Sequence, residues 1–318
     1  MRRAATGLAA AFCLALASLA FAQEMPSPTP TPAPEAGQEK EEKKESIPFR
    51  PIESNVIINL PSVQVPPEGT LTFLVTHRFQ EPLQDGNINN FFTLDVENRW
   101  GFGLWYAPLK NLNVGFYRTS DLNIYEASAQ YEFPELCGFA SSLRIGEDWR
   151  TEPIVASPHS SFFAQAILAY SFGKYVRITA VPTYLQRTNR FNVSFFKEPV
   201  PGDQSCRFKQ DSDYVCSGLY ENIFNVPVAA SVALTHSITV HGEVYPRLSK
   251  VNSSGVGWAV TVEKSLLRHR FAFFAGNMRP TTVDQYTGGL PYDPIPGPRP
   301  PASNVYIGFN LYRAWKFK

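Results

Sequence analysis

The chain has 318 residues, of which 18% are charged and 14% aromatic, and its formal net charge is +1. A typical soluble domain carries about 25% charged residues, so this chain is poor in charge and rich in aromatic side chains. Its near-neutral balance provides no basic surface for nucleic acid. No uncharged apolar run reaches the roughly 18 residues that a membrane-spanning helix needs. Composition therefore excludes a nucleic-acid-binding module and a helical membrane protein.

The N-terminus has the pattern of a cleaved signal peptide. Arg2 and Arg3 precede an apolar stretch, and Ala20 and Ala22 supply the small residues of a cleavage site. We expect residues 1–22 to be removed after export. Residues 23–54 alternate proline with small residues and then become charged, a composition that buries too little apolar surface to offset chain entropy. They are predicted to form a disordered periplasmic segment, and residues 55–318 to form the folded domain.

The body of the chain alternates apolar and polar residues, as strands with one apolar face do. The alternation is clearest near the C-terminus, where the odd positions are almost all apolar and the even positions are polar or small. The polar face is built from Gly, Ser, Thr, Asn and Tyr rather than from the Lys and Glu of a soluble sheet. Twelve strands are predicted, over residues 70–79, 92–106, 112–118, 122–132, 138–146, 160–172, 174–186, 223–234, 237–245, 255–264, 269–277 and 305–317.

An apolar band capped by Trp and Tyr, with a polar opposite face, is typical of an outer-membrane barrel. A membrane also requires that the sheet close, since an open edge in hydrocarbon leaves backbone groups unsatisfied. We therefore predict an all-β fold: a closed, antiparallel, up-and-down transmembrane β-barrel of about 12 strands (range 10–14). A secreted soluble β-sandwich is the alternative. The predicted location is the bacterial outer membrane.

Connection lengths provide an independent test of this fold. With one exception, the connections after odd-numbered strands are long and those after even-numbered strands are short; the longest spans residues 187–222. Bacterial barrels have long extracellular loops and short periplasmic turns. This alternation predicts that both ends of the barrel chain lie in the periplasm.

Cysteine positions suggest one disulfide. Cys206 and Cys216 flank a polar stretch without histidine, and in an oxidising compartment a loop-closing disulfide is the expected use of such a pair. Cys137 is left over and is expected to be a free thiol at a turn.

Charged residues on the polar faces are the candidate functional residues, because they should point into the barrel. Charges of both signs there either pair structurally, which we favour, or line a narrow polar pore. Buried charges without partners are costly, so mutual pairing is expected in both cases. The lumen-lining candidates are Asp95, Glu97, Arg99, Arg177, His241, Glu243 and Glu263.

Several segments carry a resemblance to a known family. They are THRF at residues 76–79, GFGLWYAPLKNLNVGFYRTSD with the following IYEASAQYEF, NVPVAASVALTHSITVHGEVYP, RHRFAFFAGN, and the ending NVYIGFNLYR. Over roughly residues 70–318 the chain resembles a family of bacterial outer-membrane-type β-barrels catalogued as a domain of unknown function. The resemblance implies a barrel and a compartment, and it implies no activity.

Three functional hypotheses follow. The first is a narrow channel or transporter for small polar solutes. The second is a structural or surface-interaction barrel that acts through its long loops, notably residues 187–222 and 278–302. The third is an outer-membrane hydrolase, for which His241 is the candidate base; Ser237 lies four residues away on the same strand, about 13 Å, too far for activation.

No enzyme motif, cofactor site or metal site is predicted. The expected partners are outer-membrane lipid, small polar solutes and the barrel-assembly machinery, the last through the C-terminal strand.

Overall fold

The computed structural model describes residues 55–88, 93–94, 98–151, 160–186, 195–196, 206–209, 213–216, 222–246, 253–266, 268–287, 290–291 and 303–317. The predicted signal peptide and the predicted periplasmic segment, residues 1–22 and 23–54, lie outside these residues.

The wall of the fold is a closed antiparallel barrel of twelve strands, as the sequence predicts. Two of the strands, β7 and β8, are each interrupted once. The strands are β1 Thr70–Phe79, β2 Asn98–Leu109, β3 Leu112–Thr119, β4 Ile124–Glu132, β5 Phe139–Arg150, β6 Ser160–Phe172, β7 Val176–Ala180 with Thr183–Gln186, β8 Ile223–Asn225 with Val228–Ala233, β9 Ile238–Tyr245, β10 Gly257–Leu266, β11 His269–Gly276 and β12 Tyr306–Lys316.

Each strand pairs with its neighbours in the chain, and β1 pairs with β12 to close the barrel. The closing register places Thr70 opposite Lys316 and Arg78 opposite Gly308. Both ends of the wall therefore lie at one rim, which also carries the short connections and is called the turn end below. The opposite rim, with the long connections, is the loop end.

The interruptions in β7 and β8 lie side by side and both contain proline. Pro182 separates the halves of β7, and Pro227 separates those of β8. Proline has no N–H to donate to a ladder, but both prolines still accept: Val181 N–H donates to Pro227 O (2.9 Å) and Ala166 N–H to Pro182 O (2.9 Å). The wall stays closed across the break.

The second predicted strand begins too early. The prediction starts it at residue 92, whereas β2 begins at Asn98. Thr93 has a φ of 74°, which is left-handed backbone that an extended strand does not contain. The strand prediction is therefore wrong around Thr93.

Alternating burial along each strand separates an outer apolar face from an inner polar face. On β2, Phe102 and Leu104 point outward and are 43% and 48% exposed, whereas the next residue, Trp105, points inward and is 6% exposed. The outer face is apolar on every side of the barrel, as a lipid-facing surface requires. Among the described residues, no helix has the length and apolar character needed to span a membrane.

Short elements complete the described fold. Two 3₁₀ helices, Leu83–Asp85 and Asp121–Asn123, lie in loop-end connections, and a four-residue helix, α1 (Val283–Tyr286), lies between β11 and β12. Short strands outside the wall are Phe195–Phe196, Cys206–Lys209, Asp213–Cys216, Ser253–Gly255 and Leu290–Pro291.

Candidate functional site: the barrel lumen

The inner wall is polar and charged along most of its height. Its buried polar members come from every wall strand except β2 and β11, whose buried positions are apolar or glycine. They include Thr72, Thr76, Arg78, Asn113, Glu126, Gln130, Arg144, Asp148, Gln165, Arg177, Ser231, His241, Glu243, Thr261, Glu263 and Asn310. A barrel of twelve strands is wider than one that wall side chains alone can fill, so the centre has room for water or for other segments of the chain.

The first occupant is the segment that precedes β1, residues 55–65, called the N-terminal plug below. It folds back on itself: Ile57 N–H donates to Leu60 O (2.7 Å) and Ser62 N–H to Asn55 O (3.0 Å). Ile58 and Leu60 at the turn are fully buried. Burial of a peptide turn requires partners for its backbone groups, and the wall supplies them.

Glu243 on β9 is the main partner of this turn. Its carboxylate accepts from Ile58 N–H (2.8 Å), from Leu60 N–H (3.0 Å) and, through the other oxygen, from Asn59 N–H (3.1 Å). The Tyr245 hydroxyl donates to the same carboxylate. Four donors thus converge on one buried carboxylate, and charge-assisted bonds of this kind are the strong ones.

Other wall strands hold the rest of the plug. Arg78 donates to Asn59 Oδ1 (3.0 Å), and Asn310 Nδ2 donates to Ile58 O (2.9 Å). Nearer the turn end, Gln130 Nε2 donates to Ser62 O (2.7 Å), and Val65 N–H donates to Glu132 Oε2 (2.7 Å). The plug therefore enters from the turn end and reaches the middle of the lumen.

The second occupant is the inserted loop, residues 277–287, which descends from the loop end and contains α1. The N–H groups that begin α1 donate to wall carboxylates: Asp284 N–H to Asp148 Oδ2 (2.6 Å) and Val283 N–H to Glu126 Oε2 (3.4 Å). Glu126 also pairs with Arg144. Plug and loop are thus held by the same chemistry, backbone N–H groups on buried carboxylates.

Side chains of the inserted loop add further contacts with the wall. Gln285 Nε2 donates to Asp121 Oδ2 (2.8 Å), and Gln165 Nε2 donates to the Tyr286 hydroxyl (3.2 Å). The Tyr117 hydroxyl donates to Thr281 Oγ1 (2.8 Å), and Asn225 Nδ2 donates to the carbonyl of Thr287. The loop is fixed on strands β3, β4, β5, β6 and β8.

Plug and loop approach each other in the centre, where Tyr245 of the wall also packs against Tyr286 of the loop, with ring centroids 5.6 Å apart and ring planes tilted by 51°. Between them lies a cavity of about 20 Å³, bordered by Ile58 and Asn59 of the plug and by Thr281 and Tyr286 of the loop. A cavity of this size holds about one water molecule. Within the described part of the chain, plug and loop thus occupy the centre of the lumen.

The structure places the described lumen-lining candidates as follows. Arg177, His241, Glu243 and Glu263 are each about 1% exposed inside the wall. Arg99 lies at the loop end of β2, where it pairs with Asp121 at 2.7 Å. Glu243 contacts the plug, and Arg177 donates from Nε to Ser171 Oγ (3.2 Å). Asp95 and Glu97 lie outside the described residues.

His241 has a neighbour that strand spacing does not reveal. Its Nδ1 lies 2.9 Å from Ser231 Oγ on the adjacent strand β8, and its Nε2 lies 3.9 Å from Glu263 Oε2 on β10. Ser231 and His241 face each other in the β8–β9 register. The serine–histidine contact is of hydrogen-bond length, the histidine–glutamate distance is too long for a hydrogen bond, and all three side chains are buried in the inner wall.

Two other predicted features lie largely outside the described side chains. Cys206 and Cys216 are opposite each other in the register of a short hairpin, so the disulfide stays a prediction. Cys137 is a free, exposed thiol. Most of the loops at residues 187–222 and 278–302, on which the surface-interaction hypothesis depends, are outside the described residues.

Sequence reasoning missed the plug and several charged wall residues. The stretch NVIINLPSVQV between the charged segment and β1 is short and apolar, and a β-strand or a turn is equally compatible with it. The inward position of Arg78 can be predicted from the sequence, because Arg78 continues the inward face of β1 after Thr72 and Thr76. Glu126, Arg144 and Asp148 also follow from the alternation, but their pairing depends on register.

Comparison with solved structures finds other barrels at low identity. The chain is similar to the NanC porin (5% identity, TM-score 0.43, 78% of this chain and 99% of that chain). It is also similar to outer membrane phospholipase A from Escherichia coli (10%, 0.41, 78% and 90%) and to an outer membrane channel from Pseudomonas putida F1 (11%, 0.41, 79% and 97%).

A comparison with curated proteins found no match. Residues 52–315, nearly the whole of the described wall together with the plug, match a family of unknown function. Its description agrees with the closed wall and the apolar outer face found here. The chain therefore belongs to the family described as membrane bound beta barrel domain (DUF5777).

Proposed function

We propose that this protein is an outer-membrane channel for small polar solutes, closed in the state described here. The observation that carries the proposal is the occupancy of the lumen: the polar inner wall surrounds segments of the chain itself, held mainly by hydrogen bonds. A wall packed by its own side chains would have no path to open. Here the plug and the inserted loop occupy that path.

The chemistry of the wall supports polar rather than apolar cargo. Arg78, Glu243 and Asn310 face the plug, and each already binds polar groups of a peptide. Groups of this kind exchange protein partners for water at small net cost, so the wall is suited to a wet pore. Apolar solutes would leave these groups without partners.

The sidedness follows from the connections. We place the turn end in the periplasm, because short turns are periplasmic in bacterial barrels. The plug then enters from the periplasm, where residues 23–54 would also lie after removal of residues 1–22. The C-terminal strand β12, next to β1 in the wall, is the proposed contact for the barrel-assembly machinery.

The test is conductance in planar bilayers. We compare three forms: the chain without residues 1–22, a control without residues 1–54 that keeps the plug, and a form without residues 1–65. The first two are expected to be mostly closed, and the third to give frequent conductance steps. A third form that folds into a barrel, as judged by its mobility in unheated detergent gels, but never conducts would overturn the proposal.

A hydrolase is the second candidate, because of the 2.9 Å contact between Ser231 Oγ and His241 Nδ1. An activated serine would react with a fluorophosphonate probe, and the Ser231→Ala and His241→Ala variants would lose that reaction. The channel proposal expects no labelling, since the pair is buried in the inner wall. Labelling of Ser231 that depends on His241 would favour the hydrolase.

A further inference from the structure

We propose that the N-terminal plug is the movable gate of this channel, released from Glu243, and that the inserted loop is a fixed part of the pore. The inference rests on the proposed function and adds its regulation. Both segments close the same lumen, but they differ in how the chain attaches them and in how the wall holds them.

Attachment is the first difference. The wall is complete from β1 to β12, since these two strands pair with each other. The plug precedes the wall, and residues 66–69 are its covalent link to β1. The inserted loop follows β11 in the chain and precedes β12. The plug is thus joined to the wall at one end only, whereas the inserted loop lies between two wall strands.

The distribution of hydrogen bonds is the second difference. All three N–H groups of the plug turn, those of Ile58, Asn59 and Leu60, converge on Glu243. The inserted loop is held from five strands, through residues such as Tyr117, Asp148 and Gln165. Arg78, Asn310, Gln130 and Glu132 hold the plug at other points. A change at Glu243 alone nevertheless affects all three N–H groups of the turn, whereas the N–H groups that begin α1 donate to two different carboxylates.

The electrostatics of Glu243 are compatible with release. Within the described part of the chain, Glu243 has no ion pair within 4 Å and is stabilised by the plug N–H groups and the Tyr245 hydroxyl. When the plug leaves, water enters the lumen and replaces the plug N–H groups, while the Tyr245 hydroxyl stays in the wall beside Glu243. The carboxylate then faces the open path together with Arg78 and Asn310. Closed and open states therefore both satisfy Glu243.

The experiment follows the plug directly by thiol labelling. Ile58→Cys is introduced in a Cys137→Ser background, and its reaction rate with a small cationic methanethiosulfonate is measured in the folded barrel. Glu243→Gln keeps the shape of the side chain but replaces one acceptor oxygen with an amide nitrogen, which cannot accept. We expect it to raise the labelling rate at least about tenfold and to raise the open probability in bilayers.

Asp148→Asn is the matched control. It makes the same kind of change at the carboxylate that accepts from Asp284 of the inserted loop, and it is expected to leave the labelling of Ile58→Cys unchanged. Equal labelling of the Glu243→Gln and Asp148→Asn variants would overturn the gate. If Glu243→Gln does not fold, the form without residues 1–65 replaces it for conductance.

The readouts separate this inference from the proposed function. If Ile58→Cys is labelled faster in the Glu243→Gln variant but no form of the protein conducts, the proposed motion of the plug is supported and the proposed channel function is overturned. If the intact chain conducts and removal of residues 1–65 leaves the conductance unchanged, the channel proposal is supported and the gate proposal is overturned. Faster labelling together with more frequent opening supports both.

Discussion

Trp105 is the large aromatic side chain that β2 directs into the barrel, and glycines on two strands make room for it. A Cβ added at Gly103 or at Gly115 would overlap the indole ring. The ring lies flat against the wall and near Tyr117, with centroids 6.2 Å apart. These glycines are thus required for close approach of a side chain to the backbone.

Gly103→Ala should destabilise the barrel, because the added methyl group displaces Trp105. Overpacking of this kind costs about 1–3 kcal/mol in the free energy of unfolding. Gly242→Ala is the control, since a Cβ there meets nothing within 4 Å, and we expect a change within about 0.5 kcal/mol. Urea unfolding in lipid vesicles measures both. Equal stabilities of the two variants would contradict the role given to Gly103.

The predicted disulfide depends on the positions of two residues, Cys206 and Cys216. Cys206 faces Cys216 in an antiparallel hairpin, and directly opposed residues in such a ladder have Cα atoms about 4.5–5.5 Å apart, within the range that a disulfide spans. In the untreated protein, mass spectrometry after thiol alkylation should show one modified cysteine, Cys137. Alkylation of all three mature cysteines without reductant would disprove the pairing.

At the scale of single residues, the sequence determines which face a side chain takes but not what it contacts. The inward positions of Arg177, His241, Glu243 and Glu263 follow from alternation with period two. The contact of His241 with Ser231 needs the register between β8 and β9, and the role of Glu243 needs the plug. Neither register nor long-range docking can be derived from spacing within one strand.

Helix α1 shows how an element depends on its surroundings. An isolated helix of four residues is unstable, because nucleation of the first turn is unfavourable. In the barrel its first N–H groups have acceptors on Asp148 and Glu126. The helix is therefore a product of the wall on which it docks, and its sequence shows no helical periodicity.

Loss of these acceptors should loosen α1 while the wall persists. In Asp148→Asn the remaining amide oxygen accepts more weakly than a carboxylate, and charge-assisted bonds of this type contribute about 1.5–3 kcal/mol. We expect hydrogen exchange of the amides of Val283–Tyr286 to accelerate about tenfold or more, with unchanged exchange in β4 and β5. Uniform acceleration across the wall would instead mean that Asp148 supports the whole barrel.

Alternation alone does not predict the strand breaks at Pro182 and Pro227. Each proline lies in a segment whose flanking residues alternate well, so the pattern predicts continuous strands over residues 174–186 and 223–234. Proline removes a donor and still allows extended backbone. The two strand breaks lie side by side and so interrupt the wall at one place. This adjacency becomes evident only when β7 and β8 are paired.

For the whole molecule, alternation and connection length were sufficient to predict a closed barrel of twelve strands. The alternation reflects an outer face that meets hydrocarbon, where a sheet cannot leave an open edge, and the connection lengths reflect the two different sides of the membrane. The filling of the lumen was not predictable. It depends on contacts between the plug and wall residues such as Glu243 and Asn310, about 180 and 250 positions away in the chain.

Closure of the barrel can be tested at the pairing of its first and last strands. Thr72 faces Ala314 in the β1–β12 register, so Thr72→Cys with Ala314→Cys, in a Cys137→Ser background, should form a disulfide on mild oxidation and retard the denatured chain on a gel. Thr72→Cys with Asn310→Cys is the control. Asn310 pairs with Thr76, four residues along the strand and about 13 Å away, beyond the reach of a disulfide. If both pairs react equally, or if neither reacts, then β1 and β12 do not meet in the register described.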